Sequence, residues 1–431
     1  MTGSSLGVGL VWWPVLDPLC RGGEGLVDVV EVEPETFWVP TPEGGFRSVL
    51  KKALAHLPQP KLLHGVGAPL GGTCRAPAAH GAALVRDIAE LRPAFASEHL
   101  SLTHFRPRSD QPPVFAGFML PPMQSQTGIE LGAANIRRHR ATIGVPLAVE
   151  TPVSYLPPMP GELPDGAFVA AVAEAADCGI LLDLHNVLCN ARNGRQSLAA
   201  FCNDLPLDRV WELHLAGGED ESGFYVDAHG GLAEAAVMDA ASALVPRLPA
   251  LQAITFEIMP ERVTALGLPA IARLLGQMRD LWAMRAAAAG APAGTGRGPE
   301  AGQPSAAPEA WETLLGCEIT GLPGPSVDAA LAHWWQAARP ALDLYRKLAS
   351  EGRASAVAAA ASRTTRLLLR AHGGAGTRRI LAEFWKTTPP LYTASDEAQA
   401  FFRFLAASYP ALPGLAEAMA ADAQELVAIS G

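Results

Sequence analysis

A chain of 431 residues that is 49% hydrophobic and 18% charged can bury a large core, which excludes a wholly disordered protein and exceeds one small domain. Its formal net charge of −10 argues against a surface built to grip a phosphate backbone, so no nucleic-acid partner is expected. No apolar run is long enough to cross a bilayer, and residues 1–10 lack the pattern of an export signal, so the expectations are no membrane partner and a cytoplasmic location.

Eight strand candidates follow one another at 7–13, 29–37, 61–67, 95–101, 146–152, 180–187, 210–216 and 253–260. Most are nearly continuous in apolar residues up to a polar end, as in strands buried on both faces. Helical spacing falls between them at 80–91, 135–142, 168–176, 232–244 and 263–285. Strand then helix, repeated about eight times, is the arithmetic of an α/β fold, the (β/α)8 TIM barrel, assigned to residues 1–285. A doubly wound open sheet is the competing layout, but no Gly-rich phosphate loop follows the first strand.

Residues 286–309 (AAAAGAPAGTGRGPEAGQPSAAPE) carry almost no large apolar side chains and read as a linker. Beyond it, apolar residues recur at helical spacing over 327–348, 356–371, 377–385, 396–408 and 415–428, with breakers at Gly373-Gly374, Pro389-Pro390 and Pro413-Gly414. Residues 310–431 are therefore expected to form a small all-α domain. Its aromatics, Trp334, Trp335, Phe384, Trp385, Phe401, Phe402 and Phe404, read as core. The six cysteines are scattered without a C-x-x-C pair and read as isolated thiols.

The chemistry lies in the polar ends of the strands. LLHGVG carries His64, FASEHLS carries Glu98 and His99, and PLAVETP carries Glu150. ILLDLHNV carries Asp183, His185 and Asn186, and VWELHLAG carries Glu212 and His214. VDAHG then supplies Asp227 and His229, and AITFEIMP supplies Glu257. One buried histidine or carboxylate is usually satisfied by a hydrogen bond in the core. So many at the C-terminal face of one barrel, where barrels keep their active sites, would be costly without cations among them. A multinuclear metal site is the expectation. Nitrogen and oxygen donors without a thiolate suit iron, manganese or zinc, and the pattern does not choose among them.

The motifs SEHLS (97–101), ETPVSYL (150–156), LLDLHNV (181–187) followed by NARN, ELHLAG (212–217), DAH (227–229) and HGVG (64–67) resemble the DUF692 family, the multinuclear non-heme iron-dependent oxidative enzymes. The resemblance runs in order from about residue 5 to about residue 280. It implies a barrel of the xylose-isomerase-like type with two or three irons of mixed Fe(II)/Fe(III) state. It also implies dioxygen as co-substrate and oxidation of a ribosomally made precursor peptide, usually at cysteine. Carried over by residue, the metal ligands are His64, His99, Glu150, Asp183, His214, Asp227, His229 and Glu257, with Asn186 as a ninth. His185 is held in reserve, since on a regular strand it points to the opposite side. Thr151 stands where many relatives are expected to have Asn.

Catalytic roles fall to His99 and Asp227. Asp227, beside the acidic run Glu219, Asp220 and Glu221, would be a ligand that yields to substrate; the same run also reads as a solvated surface. The loop at 103–126 offers His104, Arg106 and Arg108 to peptide carboxylates, and Phe105 and Phe118 as packing surfaces, or lies tucked on the barrel. Residues 381–426 resemble the helical half of partner proteins that accompany the family and capture the precursor peptide. The fused domain could take the place of such a partner, work beside a separate one, or simply cover the barrel. Three rival functions remain at this stage: a zinc-dependent abasic-site endonuclease, a sugar isomerase on the same barrel, and a non-enzymatic metal- or peptide-binding partner protein.

Overall fold

A computed structural model describes residues 5–22, 25–41, 43–285 and 307–430, with side chains as far as residue 426. Eight parallel strands close into a barrel: β1 (Gly7–Val11), β2 (Val29–Val32), β3 (Lys61–Gly65), β4 (Ala96–His99), β5 (Leu147–Glu150), β6 (Gly179–Asp183), β7 (Val210–Leu215) and β8 (Ala253–Phe256). Each pairs with its neighbours in chain order, and β8 closes on β1 through Gly7 opposite Ala253.

The two-residue period of a strand sorts these side chains into two faces. Val30, Leu63, Val149, Leu182, Leu213 and Ile254 pack outward in the main core with the helices. The opposite parity faces inward. At the bottom of the barrel Val29, Leu62, Phe95, Ala148, Leu181 and Ala253 form a small apolar cluster of their own. Two residues further along the same strands stand Glu31, His64, Ser97, Glu150, Asp183 and Thr255, all buried. A register shift between Ile180 and Leu181 sets Glu212 opposite Leu181 and His214 opposite Asp183, so β7 joins this polar layer. Branched apolar side chains usually fill such a position; here the upper half of the barrel interior is ionisable.

All eight strands end before their predicted runs do, and at β2 and β6 the cause is local. β2 stops at Val32 because Pro34 has no N–H for the ladder, and a 3-10 turn takes over at Pro34–Phe37. β6 stops at Asp183, whose Oδ1 accepts the N–H groups of His185 (2.6 Å) and Asn186 (2.9 Å) and caps a helix, Leu184–Arg192. His185 and Asn186 thus lie on a helical first turn, not on a strand.

Two segments read as loops are hairpins. Leu102–Phe105 pairs with Val114–Leu120, and Gly217–Glu221 pairs with Phe224–Gly231. The second turns through Ser222 (φ 53°) and Gly223 (φ 85°), the double left-handed pair of a two-residue hairpin.

Of the predicted linker, residues 286–306 lie outside the described residues, and its end already belongs to a helix, Pro308–Thr320. The rest of the C-terminal region is helical: Ala332–Ala337, Arg339–Ala360, Ser362–Thr387, Ala394–Ser408 and Leu415–Ser430. Gly373 (φ 65°) interrupts the long helix at the predicted Gly-Gly break. These helices have two cores. Trp311, Leu315, Trp334, Trp335 and Tyr345 share one with Leu102, Phe105, Leu120 and Tyr155 from the barrel loops. Phe384, Phe401, Leu405 and Leu415 belong to a second, separate one. The six cysteines are buried free thiols, and no helix among the described residues is long and apolar enough to cross a membrane.

Candidate metal centre

The polar strand ends meet at the C-terminal mouth of the barrel. His64 Nε2 lies 3.2 Å and His99 Nε2 2.8 Å from Glu150 Oε2. His214 Nδ1 lies 3.1 Å from Glu257 Oε2 and 4.0 Å from Glu150 Oε1. The 217–231 hairpin folds back over the mouth, so that His229 stands between Asp227 Oδ1 (2.8 Å from Nε2) and Glu257 Oε1 (3.3 Å from Nδ1). Asn186 donates from Nδ2 to Glu150 Oε1 (3.2 Å) and to the Thr151 carbonyl (3.2 Å). All nine residues assigned as ligands from the sequence are therefore in one place.

Three donor groups, each with its ligand atoms within 4.8 Å of one another, run across the mouth: His64–His99–Glu150, Glu150–Asp183–His214 and Asp183–His229–Glu257. Glu150 belongs to the first two and Asp183 to the last two, the places for carboxylates that bridge neighbouring cations. The donor atoms support a cation on independent grounds. Glu150 Oε2, Asp183 Oδ2, Asn186 Oδ1, Asp227 Oδ1 and His229 Nε2 are buried without a well-formed hydrogen bond, and the polar atoms nearest Glu150 Oε2, Asp227 Oδ1 and His229 Nε2 belong to the same cluster. Buried polar atoms are nearly always hydrogen-bonded. Here lone pairs converge on one another, an arrangement that a divalent ion would satisfy.

Electrostatics point the same way. Burial pushes the Asp183 carboxyl well above the usual carboxylate range, and Glu150 and Asp227 push it further. Burial also opposes charge on Glu257, yet His229 and His214 draw it down to about 2. Against its own burial, Glu150 is held well below the usual range by His99 and His64. Although burial works against it, the imidazoles are lifted well above their usual range, His99 by Glu150, His214 by Glu31 and Glu257, and His229 by Asp227 and Glu257. The carboxylates thus take positive charge from protonated imidazoles. At about 4 Å and an effective dielectric of about 20, each close like-charge pair costs roughly 4 kcal/mol.

The imidazoles are also oriented. His99 Nδ1 faces the Gly65 carbonyl (3.0 Å), which can only accept, so the proton sits there and Nε2 points at Glu150. His64 Nδ1 faces Ser97 Oγ (2.8 Å), and His214 Nε2 faces Glu31 Oε2 (2.7 Å). Thr151 fixes the end of β6: its hydroxyl accepts the Asp183 N–H (3.0 Å). His229 adopts φ 45°, a left-handed conformation uncommon for histidine, beside the donors it joins.

His185 does not point away. Because its segment is helical, Nε2 reaches Asp227 Oδ1 (3.6 Å) and Cys189 Sγ (3.4 Å). Glu98 turns aside to accept the Ala68 and His99 N–H groups. Glu212 lies below the mouth, accepts the Thr255 hydroxyl (2.7 Å) and is pushed by burial and Glu31 up to about 8. Two acids were missed in the sequence, Glu31 fully buried and Glu33 half-buried. Glu31 lies beneath the mouth, and Glu33 faces its rim, pushed up to about 7 by burial and Glu257. Both share the parity of Val29, the signal that could have found them.

Of the residues proposed to meet peptide in the 103–126 loop, only Phe118 reaches the site. It lines a cleft of about 50 Å³ with Leu120 and Tyr155, and His99, Asn186 and Asp227 lie at its donor end. His104 is buried, with its pKa pushed down to about 4 by that burial. Phe105 is buried in the core shared with the C-terminal helices. Arg106 donates to the Gln111 carbonyl, and Arg108 pairs with Asp110 in the open.

Known proteins resemble this chain over its barrel region. A UPF0276 protein of Chromobacterium violaceum is 32% identical over 200 residues, 46% of this chain and 68% of that protein. One of Pseudomonas aeruginosa is 32% identical over 219 residues, 50% of this chain and 72% of that protein. Among solved structures, a D-psicose 3-epimerase from Clostridium cellulolyticum H10 covers 65% of this chain and 98% of its own, at 8% identity and a TM-score of 0.40. The IOLI protein crystallised with a bound zinc atom covers 65% and 98%, at 11% identity and a TM-score of 0.38. The family described as RiPP precursor modification enzyme MbnB/TglH/ChrH matches residues 5–274. With more than half of its length matched, the chain belongs to that family, which is the DUF692 or UPF0276 family.

Proposed function

We propose that this protein is an iron-dependent, dioxygen-using oxidase that modifies a residue, cysteine by preference, of a ribosomally made precursor peptide. The observation that carries the reading is the row of three overlapping donor groups whose lone pairs have no other partner. His64, His99, Glu150, Asp183, Asn186, His214, Asp227, His229 and Glu257 would hold two or three irons; bound there, mixed Fe(II)/Fe(III) ions would pass electrons from the peptide to dioxygen. Oxygen and nitrogen donors without thiolate suit iron.

The chain supplies access, orientation and dryness. Asp227 (21% exposed) and His99 (15%) border the cleft, whereas Glu150 and His214 are 2% and 0% exposed. Substrate entering the cleft would meet these two and Asn186 first, which supports the catalytic roles proposed for Asp227 and His99. A space of about 50 Å³ takes one small side chain and no folded segment. Phe118, Leu120 and Tyr155 keep bulk water from it. Phe118 and Tyr155 both touch Tyr345 of the Arg339–Ala360 helix, with ring centroids 5.9 and 5.2 Å apart. The C-terminal helices therefore border the path of the peptide, and peptide capture falls to them or to a separate partner seated beside them.

The test uses the full-length chain purified in air and then mixed with a cysteine-containing precursor encoded beside its gene. The expected result is more than one iron per chain and an oxygen-dependent mass change on the peptide. A chain that binds only zinc and cuts a duplex containing an abasic site would be an endonuclease instead.

A further inference from the structure

We propose that Glu31 is the positioning residue of the metal centre: one buried carboxylate that fixes the tautomers of two ligand histidines in opposite senses. The inference rests on the metal reading above. Glu31 has no exposed surface. Its Oε2 lies 2.7 Å from His214 Nε2. Its Oε1 lies 3.4 Å from Ser97 Oγ, which is 2.8 Å from His64 Nδ1.

A carboxylate only accepts, so the nitrogen that faces it carries the proton. Both His214 nitrogens face a carboxylate, so a cation held by Glu257 and Glu150 would displace the proton on Nδ1, while Glu31 keeps the one on Nε2. Ser97 gives its hydroxyl proton to Glu31 and so accepts from His64 Nδ1–H. That leaves His64 Nε2, 3.2 Å from Glu150, as the nitrogen that a cation at Glu150 would take. One acid beneath the mouth thus turns a δ-nitrogen and an ε-nitrogen toward the same cluster. It reaches two of the three donor groups through these two rings.

Glu31, Glu212 and His214 also lie close enough to hold a cation themselves. Their contacts favour the hydrogen-bonded role. Glu212 Oε1 already takes the Thr255 hydroxyl and both Glu31 oxygens are engaged, so Glu212 Oε2 alone of these four carboxylate oxygens lacks a partner, whereas several donor atoms above them lack one. Carboxylates that orient ligand histidines typically change metal affinity about 10–100-fold when lost.

The experiment compares full-length wild type, Glu31→Gln and Ser97→Ala. Anaerobic Fe(II) binding is measured against a competing chelator, and histidine nitrogen NMR is recorded on the Zn(II)-loaded chain. Wild type should show His214 protonated at Nε2 and His64 at Nδ1. Glu31→Gln should weaken Fe(II) binding about 10–100-fold and disturb both rings. Ser97→Ala, which leaves the acid in place should Glu31→Gln fail to fold, should disturb His64 alone. If wild type takes up no Fe(II), the metal reading falls and this inference with it. If wild type binds iron but shows His214 bound through Nε2, or if Glu31→Gln matches wild type in affinity and tautomers, only the role of Glu31 falls.

Discussion

Asp183 divides two tasks between its oxygens. Oδ1 caps the Leu184–Arg192 helix, while Oδ2 is buried at the mouth without a partner. Burial and the charges of Glu150 and Asp227 raise its pKa above the ordinary 3.8. An acid raised in the folded state stabilises the fold below its ordinary pKa and loses that contribution as pH rises. At neutral pH the metal-free chain therefore carries a penalty at this position, a cost typical of functional sites. Asn caps helices as well as Asp does, so Asp183→Asn removes the charge and keeps the cap. The expected outcome is a metal-free variant more stable than wild type by about 1–2 kcal/mol at pH 7. Because Asp183 belongs to two donor groups, the same variant should lose more than a single iron. Calorimetry of the metal-free chain and metal analysis of the loaded one check this; a variant that melts lower, or keeps its full iron, contradicts it.

At the scale of elements, the 217–231 hairpin decides whether Asp227 and His229 reach the site. Its strands close through Ser222-Gly223, and its outer face is pinned by Lys347 on Glu221 (2.5 Å) and Arg262 on Glu219 (2.8 Å). Such exposed pairs contribute at most about 1 kcal/mol each. The inner contacts are buried: Tyr155 Oη accepts the Asp227 N–H (3.1 Å), and the Tyr155 N–H donates to Tyr345 Oη (3.2 Å). Tyr155→Phe would leave the Asp227 N–H without its acceptor, at a cost of about 1–3 kcal/mol. Faster hydrogen exchange over 217–231 is expected, with weaker binding of the ion served by Asp183, His229 and Glu257 and no change at the His64 group. Exchange rates equal to wild type would show that the tyrosine does not hold the hairpin.

The whole molecule is tied together by a core that crosses the predicted domain boundary. Leu102, Phe105, Leu120 and Tyr155 of the barrel loops are buried beneath Trp311, Leu315, Trp334 and Tyr345. At about 1.5–3 kcal/mol per large apolar side chain, uncovering four of them would cost an amount comparable with the total stability of a domain, about 5–15 kcal/mol. Glu312 adds a polar link, accepting the Thr73 N–H (2.7 Å) and hydroxyl. Burial pushes Glu312 up to about 7 despite those bonds. An acid raised in this way stabilises the fold fully below its ordinary pKa of 4.5, and the contribution fades as pH rises through about 7. Between about pH 5 and pH 7.5, wild type should therefore lose stability relative to Glu312→Gln, on the order of 1–3 kcal/mol. Parallel melting curves for the two proteins would rule the effect out.

The choice of nine ligands, Asn186, Asp227 and His229 among them off the barrel strands, came from the family resemblance; the sequence pattern by itself determined the alternation of strand and helix and the polar ends of the strands. It could do so because a strand turns successive residues to opposite faces: Ala148 and Glu150, Leu181 and Asp183, lie on one parity and need no knowledge of the rest of the fold. Glu31 and Glu33 obey the same rule from Val29 but lie in a run otherwise read as apolar. The tertiary structure alone decided three other matters. It put His185 on a helical turn because Asp183 caps there, so the ring faces Asp227. It joined the C-terminal helices to the barrel loops in one core. It brought Glu31 to His214, 183 residues away. Local periodicity fixes the face on which a side chain lies. Which side chains meet across the barrel depends on how eight strands close together, a property of all of them at once.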